Sequence, residues 1–215
     1  MSSVDNLTPV VQDYLKVIWS ATEWGDPPIT TKGLAARLGT TQANVSDTVK
    51  RLAAQGLVDY ESYRPVRLTE QGTRLAVAMV RKHRLIETFL VDTLHYGWDE
   101  VHDEAEALEH AASDALVDRI DVLLGHPVAD PHGDPIPAAD GTVRRPRALR
   151  LSETSGRRRV VRVSDADPGL LARCRDLGIV PGAQVDALQV PPELFAAVCA
   201  GLGLNLSEVL ELVRD

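Results

Sequence analysis

The chain has 215 residues, 44% hydrophobic and 25% charged, with a formal charge of −8. That is ordinary composition for one or two globular domains. Aromatic residues make up 4%, which argues against a protein that works by base stacking, and the two cysteines, Cys174 and Cys199, exclude a disulfide framework. The first residues have neither the basic start nor the apolar core of a secretion signal. The longest apolar run, Leu188 to Leu206, is broken by Pro191, Pro192 and Glu193, so no membrane span is expected and the expected location is the cytoplasm. At face value the net charge also argues against nucleic acid, because phosphate binding runs on Lys and Arg.

Thr8 as a cap and Pro9 at the first helical position open a helix carrying Leu15, Val17, Ile18 and Trp19, which stops at Gly25-Asp26-Pro27-Pro28. Thr31 precedes a short helix through Leu34, Ala35 and Leu38, closed by Gly39. After a tight turn, the spacing of Val45, Val49 and Leu52 predicts a helix from about Gln42 to Ala54. Leu57 to Tyr60 and Pro65 to Leu68 read as a hairpin with Ser62-Tyr63-Arg64 at its tip. Two short helices followed by a hairpin describe a winged helix-turn-helix. Thr69-Glu70-Gln71-Gly72 opens a long helix through Leu85 and Leu90, and a second long helix is expected from Val101 to Leu124, closed by Gly125. Residues 126–156, rich in proline and including Arg144-Arg145-Pro146-Arg147, read as connection and linker. Val160, Val161 and Val163 suggest a strand, Val180-Pro181-Gly182 a turn, and Val185 to Val190 another strand. Leu194 to Cys199 and Ser207 to Val213 fit helix or strand equally.

The charge is unevenly distributed. Between Thr31 and Arg67 six basic residues face three acidic ones. Between Trp98 and Gly125 nine acidic residues face Arg119 alone. Within that acidic stretch, Glu106, Glu109 and His110 are spaced three and four apart and share one helical face. His83 and Glu87 repeat the four-residue spacing on the preceding helix. A His and a Glu on a helix are usually just solvated, but two such pairs with no nearby cysteine favour an oxygen-rich site for Mn²⁺ or Fe²⁺ over a thiolate zinc site.

The chain resembles the family of iron- and manganese-dependent transcriptional repressors related to diphtheria toxin repressor. The resemblance is carried by Asp13-Tyr14-Leu15, Val45-Ser46-Asp47-Thr48-Val49, Arg81-Lys82-His83-Arg84-Leu85, Val101 to Ala105, Glu109-His110, Ser113-Asp114 and the Pro-His-Gly-Asp-Pro-Ile-Pro stretch at 131–137. It implies a mainly α protein with a small β domain: a winged helix-turn-helix over 1–73, a helical dimerisation and metal-binding domain over 74–140, a linker over 141–156 and an SH3-like, FeoA-like domain over 157–215. It further implies a primary metal site of Asp13, Glu106, Glu109 and His110. An ancillary site would use His83, Glu87 and His102, with Asp165 as the nearest candidate from the C-terminal domain. Iron-responsive members have methionine and cysteine where this chain has Asp13 and Glu106, so the carboxylates resemble the manganese-responsive type, with Fe(II) as the alternative. Lys16 stands where two-domain manganese regulators place a metal-binding glutamate, which opposes a close binuclear cluster. Asp130 and Asp134 replace small polar residues that help hold an anion in iron regulators.

For DNA, the resemblance places Thr41, Gln42, Ala43, Asn44, Ser46 and Asp47 at base edges, and Lys50, Arg51 and Arg64 at phosphates. The implied protein is a homodimer that binds palindromic double-stranded operator DNA when loaded with Mn(II), and is not an enzyme. The competing class is a binuclear metallohydrolase, but no nucleophile motif or phosphate loop accompanies the ligands. His95, His126 and His132 read as structural, and both cysteines as packed small apolar groups.

Overall fold

The computed structural model describes residues 7–62 and 64–201. They divide into two compact units. The first holds residues up to Ile86, Glu106–Leu123 and Pro137–Val143, and the second holds Glu87–Ala105, Leu124–Ile136 and the chain from Arg144 onward.

In the first unit, α1 (Pro9–Glu23), α2 (Thr31–Arg37) and α3 (Gln42–Ala54) form the expected helix-turn-helix, with β1 (Val58–Asp59) and β2 (Arg67–Leu68) as a short antiparallel wing. Thr30 and Thr41 cap α2 and α3, their hydroxyls accepting the Gly33 and Asn44 N–H groups. Leu15, Ile18, Leu34, Val45, Val49 and Leu52 interlock in one core, continued by Leu75, Met79 and Val80 of α4 (Glu70–Leu94). Gly72 lets α4 approach the wing: a Cβ there would lie 1.9 Å from the Leu57 carbonyl oxygen.

The predicted helix from Val101 to Leu124 is two helices, α5 (Val101–Glu109) and α6 (Asp114–Leu123). The break is stabilised by Lys82, whose ammonium donates to the Ala112 carbonyl at 2.7 Å, and by Ser113, whose hydroxyl caps the Leu116 N–H. All four residues of Arg81-Lys82-His83-Arg84 are engaged inside this unit. Arg81 donates to Asp121 and to the Pro137 carbonyl, His83 meets Glu109, and Arg84 forms a two-pronged pair with Glu23 at 2.9 and 2.6 Å.

The second unit contains a four-stranded antiparallel sheet in the order β3 (Ala148–Arg150), β6 (Val198–Gly201), β4 (Arg157–Val163), β5 (Gln184–Asp186). Val160, Val163, Val198 and Ala200 pack with Leu151, Leu171, Cys174 and Leu194 in its core. Both cysteines are buried and unpaired, as expected. Three sequence expectations need correction. Residues 141–156 are not all linker, since they contain β3 and a 3-10 turn, Leu151–Glu153, whose Leu151 is a core residue. The stretch 132–137 is buried, not a surface connection. The expected strand Val185 to Val190 stops at Asp186, whose carboxylate caps a 3-10 turn over Ala187–Gln189. Helix α7 (Pro168–Asp176), capped by Asp167, was not expected. Of the ambiguous segments, the first becomes a 3-10 turn, Pro192–Leu194, and strand β6. The second, Ser207 to Val213, lies outside the described residues. No described helix is long and apolar enough to cross a membrane.

Candidate metal centre and DNA-reading surface

Asp13 lies on α1 and His110 directly follows the last residue of α5, yet the ligand atoms of Asp13, Glu106, Glu109 and His110 all lie within 4.8 Å of one another. The fold brings together the whole predicted primary set. His110 Nε2 is 3.1 Å from Asp13 Oδ1, while His110 Nδ1 donates to Gln12 Oε1 at 2.7 Å. Gln12 is itself oriented by donating through Nε2 to the Leu7 carbonyl. That chain places the imidazole proton on Nδ1 and turns the Nε2 lone pair towards the carboxylates, the arrangement that prepares a histidine to ligate. Gln12 was missed from the sequence; its only signal is adjacency to Asp13.

Glu109 has a fully buried side chain between two partners: His83 Nδ1 at 2.5 Å and Lys16 Nζ at 2.7 Å. Burial pushes its carboxyl up, but His83 and Lys16 together outweigh burial and hold it below its ordinary value. Lys16 also donates to Glu106. Burial opposes its charge, and the Glu109 and Glu106 carboxylates overcome that, so the ammonium is held more firmly than usual. Asp13 shifts the other way, raised chiefly by burial against the pull of His110 and Lys16. The donors are three carboxylates and one imidazole, with no sulfur. This set fits a hard divalent cation.

The second unit holds another cluster. His102 Nδ1 is 3.1 Å from Glu87 Oε1 and 3.5 Å from Asp165 Oδ2. His132, read from the sequence as structural, lies in an adjoining group that shares Glu87: Glu87, Asp130 and His132 also present ligand atoms within 4.8 Å of one another, all buried. His132 Nε2 donates to the Trp98 carbonyl at 2.6 Å, leaving Nδ1 facing Glu87 Oε2 at 3.7 Å. Burial disfavours charge on this ring, but Glu87, Asp130 and Asp165 prevail and raise its pKa to about 9. The loop that carries His132 is pinned. Asp130 Oδ1 accepts the N–H groups of His132 and Asp134, and Gly133, at φ +89°, lies where a Cβ would be 2.0 Å from the Val161 carbonyl oxygen. Asp134 receives Arg162 Nε at 2.6 Å. His83, grouped with Glu87 and His102 by the resemblance, spends Nδ1 on Glu109 of the first unit. His95 and His126 occupy left-handed turn positions at φ 61° and 59°.

On α3, Thr41, Gln42, Ala43, Asn44, Asp47, Lys50 and Arg51 are exposed and Ser46 half-buried, while Val45 and Val49 face the core. Lys50 makes only a long 3.9 Å pair with Asp47, both more than half exposed, so both remain able to reach a ligand. Arg64 on the wing is exposed and pairs with Glu61. A groove of about 670 Å³ runs between α1 and α3, with Asp13 at one wall and Asn44, Asp47 and Arg51 at the other.

Residues 6–66 match the iron dependent repressor N-terminal DNA binding domain, 69–138 the iron dependent repressor metal binding and dimerisation domain, and 149–194 the FeoA domain. The chain is 34% identical over 202 residues to the iron-dependent repressor IdeR of Mycobacterium bovis, covering 87% of each. The chain belongs to the diphtheria toxin repressor family of metal-dependent transcriptional repressors. Among family members, the diphtheria toxin repressor of Corynebacterium jeikeium is 33% identical over 97% of this chain and 86% of its own. A solved manganese-dependent transcriptional repressor in complex with manganese is 45% identical, covering 89% of this chain and 99% of that one with a TM-score of 0.81. The manganese regulator SloR follows at 31% identity, 90% and 99% coverage and 0.74. The repressor family is made of DNA-binding proteins, not enzymes, which sets the metallohydrolase reading aside.

Proposed function

We propose that this repressor is activated by Mn(II) and then binds a palindromic operator as a homodimer in the cytoplasm, controlling genes of metal homeostasis. The observation that carries the reading is the convergence of Asp13, from the DNA-reading helices, on Glu106, Glu109 and His110 at the end of α5. A divalent cation held by these four supplies positive charge to a cluster of carboxylates and links α1 to α5. Binding energy available only when α1 stands beside α5 favours one placement of α3, and two copies of α3 must fit successive major grooves for a palindrome to be read. Thr41, Gln42, Ala43, Asn44, Ser46 and Asp47 are assigned to base edges, and Lys50, Arg51 and Arg64 to phosphates. Glu87, His102 and Asp165, with His132 and Asp130, are assigned to a second cation site, and His83 positions Glu109.

Carboxylate donors without sulfur support manganese over softer ions. Fe(II) is the second reading, favoured by the iron-dependent relatives at 34% identity. Anaerobic gel-shift titration of a palindromic operator with Mn²⁺ and Fe²⁺ tests both. The expected result is a shift that needs Mn²⁺, is lost with chelator, and is abolished by Glu106→Ala while the dimer persists in sedimentation. Equal binding with chelator present overturns the mechanism, and tighter activation by Fe²⁺ at equal free concentration overturns the manganese assignment alone.

A further inference from the structure

Residues 144–163 carry eight arginines (a third or more of the chain's basic residues), no lysine, no aromatic residue and Glu153 as the one acid. This basic stretch lies in the second unit and is denser than that of the winged helix-turn-helix. Arg162 is committed locally, its guanidinium held by Asp134. Arg157 and Arg159 are different. They lie on β4, whose alternation sends Val160 into the core and these two side chains to the opposite face, where both are exposed. Arg158, between them, is half-buried at the strand's end. None of the three forms an ion pair among the described residues. Asp186 stands opposite Arg157 in the β4–β5 register, but its carboxylate is engaged at the Leu188 N–H. Exposed Arg144 and Arg147 precede β3 in the same sheet.

We propose that this arginine face of the C-terminal domain, centred on Arg157 and Arg159, binds the phosphate backbone of duplex DNA without regard to sequence. Arginine alone, with no lysine, suits phosphate, because the planar guanidinium presents a two-pronged donor matched to phosphate oxygens. Absence of aromatic side chains argues against single-stranded nucleic acid, which is held largely by base stacking. A rigid strand presents its charges at fixed spacing and so loses little entropy on contact. The consequence is a second, non-specific DNA contact that adds affinity and salt dependence to a repressor whose overall charge is negative.

The test is a salt titration of DNA binding by the full chain, comparing wild type, the triple variant Arg157→Gln, Arg158→Gln, Arg159→Gln, and the double variant Arg157→Gln, Arg159→Gln, which touches only exposed positions. Each phosphate contact contributes about 0.9 to the slope of log affinity against log salt. Both variants are expected to lower that slope by about 2 per participating chain, since Arg157 and Arg159 carry the contacts. Operator and non-operator duplexes should lose affinity in parallel, with Mn²⁺ binding by calorimetry and the melting temperature unchanged. A slope within about 0.5 of wild type for both variants overturns the inference. Tighter DNA binding by the variants overturns it too, because it would mean that the arginines hold an acidic segment of protein and not DNA. The metal-activation reading is judged separately, by the Mn²⁺ dependence of the wild type alone.

Discussion

Replacing Lys16 with methionine tests the electrostatic balance of the primary site. The ammonium lies 2.7 Å from Glu109 Oε1 and also bonds Glu106, with the lysine side chain 10% exposed and that of Glu109 fully buried. At an effective dielectric of about 20, one such pair is attracted by roughly 6 kcal/mol, much of it offset by the cost of burying both charges. Removing one partner of a buried pair costs about 3–5 kcal/mol, because the other charge stays behind. Here His83 still holds Glu109, so the lower end applies, about 3 kcal/mol. At about 2–4 °C per kcal/mol for a chain of this size, the metal-free variant should melt about 6–12 °C below wild type. Saturating Mn²⁺ restores a cation to the same carboxylates, so the metal-induced rise in melting temperature should be larger in the variant than in wild type. Thermal denaturation followed by circular dichroism, with chelator and with Mn²⁺, measures both. A chelated variant that melts within about 1 °C of wild type, or an equal metal-induced rise in both proteins, would show that Lys16 does not balance this site.

Gly133→Ala should destabilise the protein by about 2–3 kcal/mol in urea unfolding, since the methyl group meets the Val161 carbonyl and the residue must hold a left-handed φ; a change below about 0.5 kcal/mol refutes the tight approach. Burial pushes the Cys174 and Cys199 thiols above their ordinary values. Little thiolate then exists at neutral pH, and the sign is that raising the pH speeds alkylation only above the free-cysteine range. Mass spectrometry after iodoacetamide treatment should find neither cysteine modified in the native protein at pH 7.5 and both modified in urea. Rapid native labelling at pH 7.5 contradicts that burial.

Helices α1, α2 and α3 were legible because their signals were local: an apolar spacing and a glycine stop mark each, and α3 begins and ends where its pattern says. The caps were less so, since Thr8 makes no side-chain cap bond and α2 is capped by Thr30 with Thr31 inside the helix. The break between α5 and α6 was not, because what satisfies the freed carbonyl is Lys82, thirty residues earlier. Helical spacing groups Glu106, Glu109 and His110, but Asp13 could be joined to them only through the resemblance, since no spacing rule links Asp13 to Glu106. The place of His132 beside Glu87 was hidden for a similar reason. Its sequence surroundings are those of a surface loop, and only Gly133 against Val161 and the Asp130 cap turn that loop inward. The C-terminal sheet was the least legible part. Its strands are three to seven residues long and are interrupted by 3-10 turns, too short for a period to declare itself.

The first unit is built from three separate stretches of chain, ending with residues 137–143. During synthesis, at about 5–20 residues per second, α1 to β2 emerge with a shared apolar core well before the end of α5 exists. Asp13 is thus made several seconds ahead of Glu106, Glu109 and His110. Under the proposed metal link, the nascent chain presents its DNA-reading helices before it owns the groups that govern them, so the regulator is complete only after its effector.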